Sequence, residues 1–376
     1  MPHRVLASDT MTATKSKHTA ILLFLLVLTL QGVAQTGGRM IYNFLNFSYS
    51  SRQMALGGNL ISVYDDDASL IGMNPSYIGE RHSNTLSMNI TDYFANTCYT
   101  SGLYSYTFPK AGSFTASMMH VGYGKFQGAT EAGVETGPFY AGDFALALGW
   151  GRELSPNFTI GANWKLVYCT YERYSSFGMA VDVAGSYHHP DKQLSLTLLV
   201  KNVGSEMKTF APGKVGLPPF DIQFALSQRL KHVPIRYHIS LHDLYRWNMN
   251  YYGKDNPFLE TDAFTNELIY PSKAAQFFDN FFRHFVFGIE IEPSKYFSLQ
   301  FAYNHNIHQE MKVTARRSLA GFSYGFNIQV KGIYLGFARL HYAPGATPNC
   351  FNLGLNFGEL SQLHQNRKIK KLQRDS

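Results

Sequence analysis

The chain is 376 residues long and sets 33 Lys and Arg against 26 Asp and Glu, so only 16% of it is charged while 15% is aromatic. Soluble domains average about 25% charged residues, and a mean hydropathy of −0.17 excludes a polytopic helical membrane protein. With 45% apolar residues the chain can bury a core, which excludes disorder, and its richness in Tyr, Phe and Gly points to β-structure.

The first element is a targeting segment. Lys15, Lys17 and His18 form a basic region and residues 20–30 an apolar run, shorter than the about 20 residues that a spanning helix needs. Gln31-Gly32-Val33-Ala34 follows, with small residues at the two positions a signal peptidase reads. Residues 1–34 are thus expected to be a signal peptide, with Met1 or Met11 as start, and the protein to be exported. Residues 35–83 differ in character: Gly37-Gly38, Tyr42, Phe44-Leu45, Ser50-Ser51-Arg52, Ala55-Leu56-Gly57-Gly58, the carboxylates Asp65-Asp66-Asp67 and the turn Asn74-Pro75. They predict a compact, Gly-turned stretch. The Asp triplet lacks the spaced ligands of a calcium loop and is expected to pair with inward bases such as Lys165, Lys201 or Arg236.

From residue 84 the period is two. Phe285, Phe287, Ile289 and Ile291 alternate with Val286, Gly288 and Glu290, and Phe351, Leu353, Leu355 and Phe357 with Asn352, Gly354 and Asn356. Such alternation puts one face in an apolar and one in a polar environment. It yields about fourteen segments, at 84–94, 97–108, 112–124, 142–154, 158–171, 177–189, 194–204, 219–230, 234–244, 284–292, 296–306, 318–330, 332–342 and 350–357. Every second connection is a tight turn, and most of the others are longer (125–141, 205–218, 245–283, 307–317, 343–349). Short turns alternating with longer loops are the pattern of an outer-membrane barrel. The fold class expected is therefore all-β: an antiparallel transmembrane β-barrel over 84–358 with both termini periplasmic and the long loops outside. A soluble sandwich or propeller also alternates, but its exposed faces carry more charge.

The polar faces hold mostly Gly, Ser, Thr and Asn, as a lumen should, with Lys165, Asp182, Gln223, Arg236 and Glu290 on inward positions. Lys165 and Asp182 fall nearly opposite on neighbouring strands and are expected to pair. Tyr104, Tyr106, Phe108, Phe158, Tyr168, Tyr171, Tyr187 and Tyr296 gather near strand ends, as interfacial girdles do. The loop 245–283 concentrates Tyr251, Tyr252, Phe258, Phe277, Phe278, Phe281 and Phe282. So many rings need a cover, and docking of a partner is favoured over a lid on the barrel mouth; Lys273–Arg283 reads as a short amphipathic helix.

No catalytic motif, cofactor fingerprint or complete metal set is found. His188-His189 and His305-x-x-His308 lack a third ligand. Cys98, Cys169 and Cys350 are too scattered for a framework, although one pair has the compartment to oxidise. Residues 359–376, with Arg367-Lys368-Ile369-Lys370-Lys371, form a basic periplasmic tail expected to be solvated and disordered.

The pattern Ser50-x-Arg52-x-x-Ala55-Leu56-Gly57-Gly58, followed by Asp65-Asp66-Asp67-Ala68-Ser69 and Asn74-Pro75, resembles the N-terminal hatch of FadL-like barrels. With Gly37-Gly38 and Tyr42-x-Phe44-Leu45 it is similar to the PorQ-type barrels of the Bacteroidetes type IX secretion system. Tyr77-Ile78 depart from the Ala-Leu often found after Asn-Pro. The resemblance implies a fourteen-stranded barrel plugged by residues 35–83, with Arg52, Gly57, Gly58, Asp65–Asp67, Asn74 and Pro75 as structural residues. It implies no enzyme but an anchor for a PorZ-type surface protein, in a complex with a PorU-type sortase and a PorV-type barrel that couples cargo to lipopolysaccharide. A FadL-type channel for hydrophobic molecules is the alternative.

Overall fold

The computed structural model describes residues 40–211, 213, 215–250, 260–261, 265, 268–312 and 318–373. The expected signal peptide, and Tyr251, Tyr252 and Phe258 of the proposed docking loop, lie outside these. The period-two segments become strands: β1 (Thr85–Asp92), β2 (Cys98–Phe108), β3 (Gly112–Ala129), β4 (Glu135–Ser155), β5 (Phe158–Tyr171), β6 (Tyr174–His189), β7 (Leu194–Lys208), β8 (Asp221–Arg229) and β9 (Ile235–Leu241). After a two-stranded ribbon in the next loop, β10 (Glu260–Thr261) and β11 (Leu268–Ile269), come β12 (Phe285–Ser294), β13 (Phe297–Asn304), β14 (Phe322–Val330), β15 (Ile333–Leu340) and β16 (Asn349–Asn356). Each barrel strand is antiparallel to its neighbours, and β1 closes on β16 from Thr85 opposite Asn356 to Asp92 opposite Asn349, making a fourteen-stranded barrel. Closure leaves no open sheet edge, which hydrocarbon would not tolerate.

The wall is polar within and apolar without. In β1 the inward Thr85, Ser87, Asn89 and Thr91 are buried, while Met88 and Ile90 are 42% and 50% exposed outward. Leu148, Trp164, Leu198, Phe301 and Phe351 are likewise exposed on the outside. A soluble protein would pay for this surface in water; a lipid-facing one does not. No helix among the described residues is long and apolar enough to cross a membrane.

Residues 40–83 fill the lumen. Their regular pieces are α1 (Ser51–Ala55) and four single 3-10 turns, and their apolar side chains Tyr42, Phe44, Leu45, Tyr49, Ile61 and Met73 pack with inward Tyr99, Met119, Val121, Ala145, Val167 and Leu199 of the wall. The loops add α2 (Lys273–Arg283) and α3 (His305–Met311), and the chain continues past β16 as α4 (Phe357–Leu372).

Several expectations are corrected. Residues 125–141 are largely strand, because Phe126 pairs with Phe139 and Gln127 with Pro138 beyond a bulge at Gly122/Lys125, extending the β3–β4 hairpin. The tail begins as helix α4 and not as a disordered segment: with no Gly or Pro between Glu359 and Leu372, nothing interrupts a helix there. His305 and His308 lie on a helical turn, α3, begun by Asn304, whose side chain accepts from Ile307 N. Tyr171 points into the mouth instead of joining an outer girdle, because its hydroxyl bonds Asp143. Met40, the first described residue, bridges Leu217 in the β7–β8 connection.

Candidate functional site: hatch, lumen and outer mouth

The hatch motif is a set of local solutions to backbone problems. Ser50 caps α1 by accepting from Gln53 N at 3.2 Å, which satisfies one of the helix's free donors. Gly57 and Gly58 end it with φ of 85° and 86°, a region that favours glycine, and a Cβ on Gly57 would stand 2.3 Å from Val286 Cγ1 of β12. Asn74 accepts from Ser76 N at 3.0 Å and donates to Ile61 O at 2.6 Å, with Pro75 opening the turn. The turn is pressed onto the wall so closely that a Cβ on Gly161 of β5 would lie 2.1 Å from Pro75 O.

Charge then locks the hatch. Arg52, 6% exposed, makes a two-pronged contact with Glu290 of β12, Nε to Oε1 at 2.9 Å and Nη2 to Oε2 at 2.8 Å, and also meets Asp65 at 2.7 Å and Asp67 at 3.4 Å. Arg236 of β9 reaches Asp65 at 2.9 Å, Glu290 at 3.4 Å and Glu292 at 3.1 Å. Gln300 Nε2 donates to Glu290 at 2.8 Å. Forked contacts of this kind fix geometry as well as charge. Of the bases expected to meet the Asp triplet, Arg236 does so; Lys165 pairs elsewhere, and no ion pair among the described residues joins Lys201 to the triplet. Arg52 itself, inside the motif, is the partner that the sequence did not single out. Below this cluster His82, on the last hatch turn, is pushed down to about 4 by burial and by the neighbouring Arg81, so it is neutral near pH 7.

Lys165 and Asp182 both point into the lumen and are buried, with Nζ 2.6 Å from Oδ2. They sit one pleat apart in register, Asp182 being opposite Asn163. The pair is completed by a bulge in β7: Asn202, at φ 58°, donates its N–H to Asp182 at 2.8 Å and accepts from Lys165 at 2.9 Å.

At the long-loop mouth a cavity of about 270 Å³ is lined by Met40, Ile41, Tyr42, Phe44, Tyr123, Tyr171 and Phe210, with Asn43 and Asp143. Asp143 accepts from Tyr123 at 2.6 Å and Tyr171 at 2.7 Å, which holds the two rings in place. Beside it the wall is thin in pairing. β7 pairs with β8 only up to Lys201 opposite Asp221, whereas its upper half, to Lys208, pairs with β6 alone. The β7–β8 connection lies along this half, with Gly216 N donating to Glu206 Oε2 of β7 at 2.7 Å and Ile41 N of the hatch to Leu217 O at 3.0 Å. The sequence carried no signal for this cavity, whose lining comes from five separate stretches of chain. A wider hollow of about 700 Å³, lined by Met88, Ile90, Phe326, Leu335, Phe337 and Phe351, lies on the apolar outside of the wall.

The histidines are occupied by protein groups: His188 Nδ1 meets Ser195 at 3.0 Å and His308 Nδ1 meets Ala320 O at 2.8 Å. Among the described residues no group of three His, Cys, Asp or Glu is placed to hold a metal. Cys98, Cys169 and Cys350 are free thiols, the last two buried. Of the loop aromatics, Phe277, Phe278, Phe281 and Phe282 stand together on α2.

No family model matches the chain and no curated protein matches it. Among solved structures it is similar to the Pseudomonas putida toluene transporter TodX, at 11% identity and a TM-score of 0.46, over 82% of this chain and 96% of that one. A Pseudomonas aeruginosa FadL homologue gives 9% and 0.44 over 83% and 98%, and the CymD monoaromatic hydrocarbon channel 8% and 0.44 over 84% and 97%. These neighbours are FadL-type outer-membrane barrels; the fold of the present chain rests on its own strand order.

Proposed function

We propose that the chain is a non-enzymatic outer-membrane barrel that takes a small, ring-sized apolar molecule at its outer mouth and releases it sideways, between β7 and β8, into the membrane. The carrying observation is the placement of the aromatic mouth cavity, about 270 Å³, against the half of β7 that lacks a β8 partner. A route straight down the lumen is opposed by the hatch, whose ionic lock places fixed charges where an apolar solute would have to pass. Sites of this kind are concave, mostly apolar and hold a few polar groups that set orientation; here Asp143 with its two tyrosines has that role.

Equilibrium dialysis of radiolabelled toluene against the purified barrel tests the binding step. Saturable binding, lost when Asn43→Trp fills the cavity from its exposed rim, is the expected result; no saturable binding overturns the proposal. A Met40→Cys/Leu217→Cys pair, made with Cys98→Ser, is expected on oxidation to stop uptake of toluene by cells carrying the barrel, and uptake to return on reduction.

A second function, anchorage of a PorZ-type surface protein within a type IX secretion complex, is favoured by the lock itself, because a hatch tied by Arg52 to β12 makes a rigid mount. Affinity purification from gently solubilised outer membranes tests it: a stoichiometric surface protein bound to the barrel supports it, and a barrel that emerges alone does not.

A further inference from the structure

The helix α2 is inverted for a helix in water. Phe277, Phe278, Phe281 and Phe282 share one face, being spaced one, four and five residues apart, and are 52%, 58%, 37% and 42% exposed. Asn280 and Arg283, on the other face, are each 5% exposed. The polar face is the one that is tied down. Asn280 Oδ1 accepts from Met249 N at 3.0 Å and Asn250 N at 3.1 Å, and Arg283 Nε donates to Asp279 at 2.9 Å, with a further bond to Asn306 at 3.3 Å. These contacts hold the helix with its rings turned away from the protein.

The rings do not end in empty space; they join a surface already assigned to lipid. Phe281 packs on Phe285 at 4.8 Å and Phe285 on Phe287 at 5.6 Å, and Phe285, Phe287 and Ile289 are the outward column of β12. Trp247 continues the patch, 5.2 Å from Phe277. Among the described residues no ring of α2 stacks on a ring that lines the mouth cavity, which is what a lid would require.

We infer that α2 is an interfacial anchor: its aromatic face is immersed in the hydrocarbon of the leaflet on the long-loop side, as a continuation of the barrel's lipid-facing wall. The inference rests on the membrane-barrel part of the function proposed above. Amphipathic helices with an aromatic face lie in the plane of a membrane in this way, and the aromatic–polar boundary of α2 falls where an interfacial belt is expected. An anchor here braces α2 against the bilayer.

The three tryptophans, Trp150, Trp164 and Trp247, make the test possible. Trp164, 45% exposed on the outer wall, reports on barrel insertion, and Trp247 on the helix. Three variants are reconstituted into phosphatidylcholine vesicles with brominated acyl chains: W150F/W247F keeps Trp164, W150F/W164F keeps Trp247, and F278W is placed in W150F/W164F/W247F. Tryptophan at 247 and at 278 is expected to be quenched by the brominated chains to within about twofold of Trp164, as belongs to residues in one belt, and to be shielded from aqueous iodide. Quenching of position 278 by iodide and not by bromine, with Trp164 still quenched by bromine, overturns the inference. Protection from both quenchers also overturns it, assigning the face to protein, either a second copy or a bound partner. If Trp164 itself escapes bromine, the membrane-barrel reading falls, and that outcome is separate from the others.

Discussion

The two helices α1 and α2 are built alike and placed in different solvents. Each is begun by a serine, Ser50 or Ser272, that accepts from the backbone N–H three residues on. Each buries an arginine: Arg52 is 6% exposed and Arg283 5%. Yet all five residues of α1 are buried, whereas α2 leaves four phenylalanines open. The arginines are inside because a carboxylate waits for each of them. The phenylalanines are outside because the outer medium at that height of the barrel is not water. Burial of a charged side chain thus reports its partner, and exposure of an apolar one reports the solvent.

If the partner decides, the two arginines should differ in weight. Arg52→Met strips Glu290, which is wholly buried, of its two-pronged contact, and breaking a buried pair from one side costs about 3–5 kcal/mol. Arg283→Met leaves Asp279, whose side chain is 21% exposed, with Asn250 and His305 nearby, and should cost at most about 1 kcal/mol. Urea unfolding of the two reconstituted variants measures the difference. Equal losses would break the comparison and shift the weight from charge to packing.

The seat of α1 gives a smaller effect of a steric kind. A Cβ on Gly325 of β14 would lie 2.4 Å from Phe337 O and 2.7 Å from Ala55 Cβ, so Gly325→Ala forces the helix off the wall at about 1–3 kcal/mol, the range for overpacking. The same methyl at Gly185, on the lipid side of β6, meets only Phe158 Cζ at 3.5 Å and should be tolerated. A wall that accepts both equally does not hold α1 by close contact.

Much of this architecture is legible in the sequence because lumen and lipid write a period of two. β5 was expected at 158–171 and spans Phe158–Tyr171; even α2 could be bounded from the sequence at Lys273–Arg283. What escaped has physical reasons. Alternation gives the parity of Lys165 and Asp182 but not the bulge at Asn202 that supplies their hydrogen bonds, since asparagine enters the left-handed region with no neighbouring signal. Arg52 and the Asp triplet could be seen as motif residues, but their meeting with Glu290, 238 positions along the chain from Arg52, is made only when the barrel closes. For α2 the 3.6-residue period shows that two faces exist and is silent on which solvent each one meets, so the sequence points to docking or a lid and not to the bilayer.

The smallest effect tests how the polar face of α2 is held. Burial alone would raise the Asp279 carboxyl, but bonds from His305, Arg283 and Asn250 outweigh it and hold the group below the usual carboxylate range. A carboxyl lowered by folding contributes stability that is present above its unfolded value and is lost only as pH falls through its lower folded value. The contact of Trp247 with Phe277 should therefore report a docked helix unchanged from about pH 7 to pH 5, loosening only in acid below the ordinary carboxylate range of about 4. Asp279→Asn should remove that acid step while weakening the docked state at neutral pH, because the amide keeps the shape but not the charge that faces Arg283. Trp247 emission, in the W150F/W164F background, reads both. An acid step that survives Asp279→Asn would show that this carboxyl does not hold the helix.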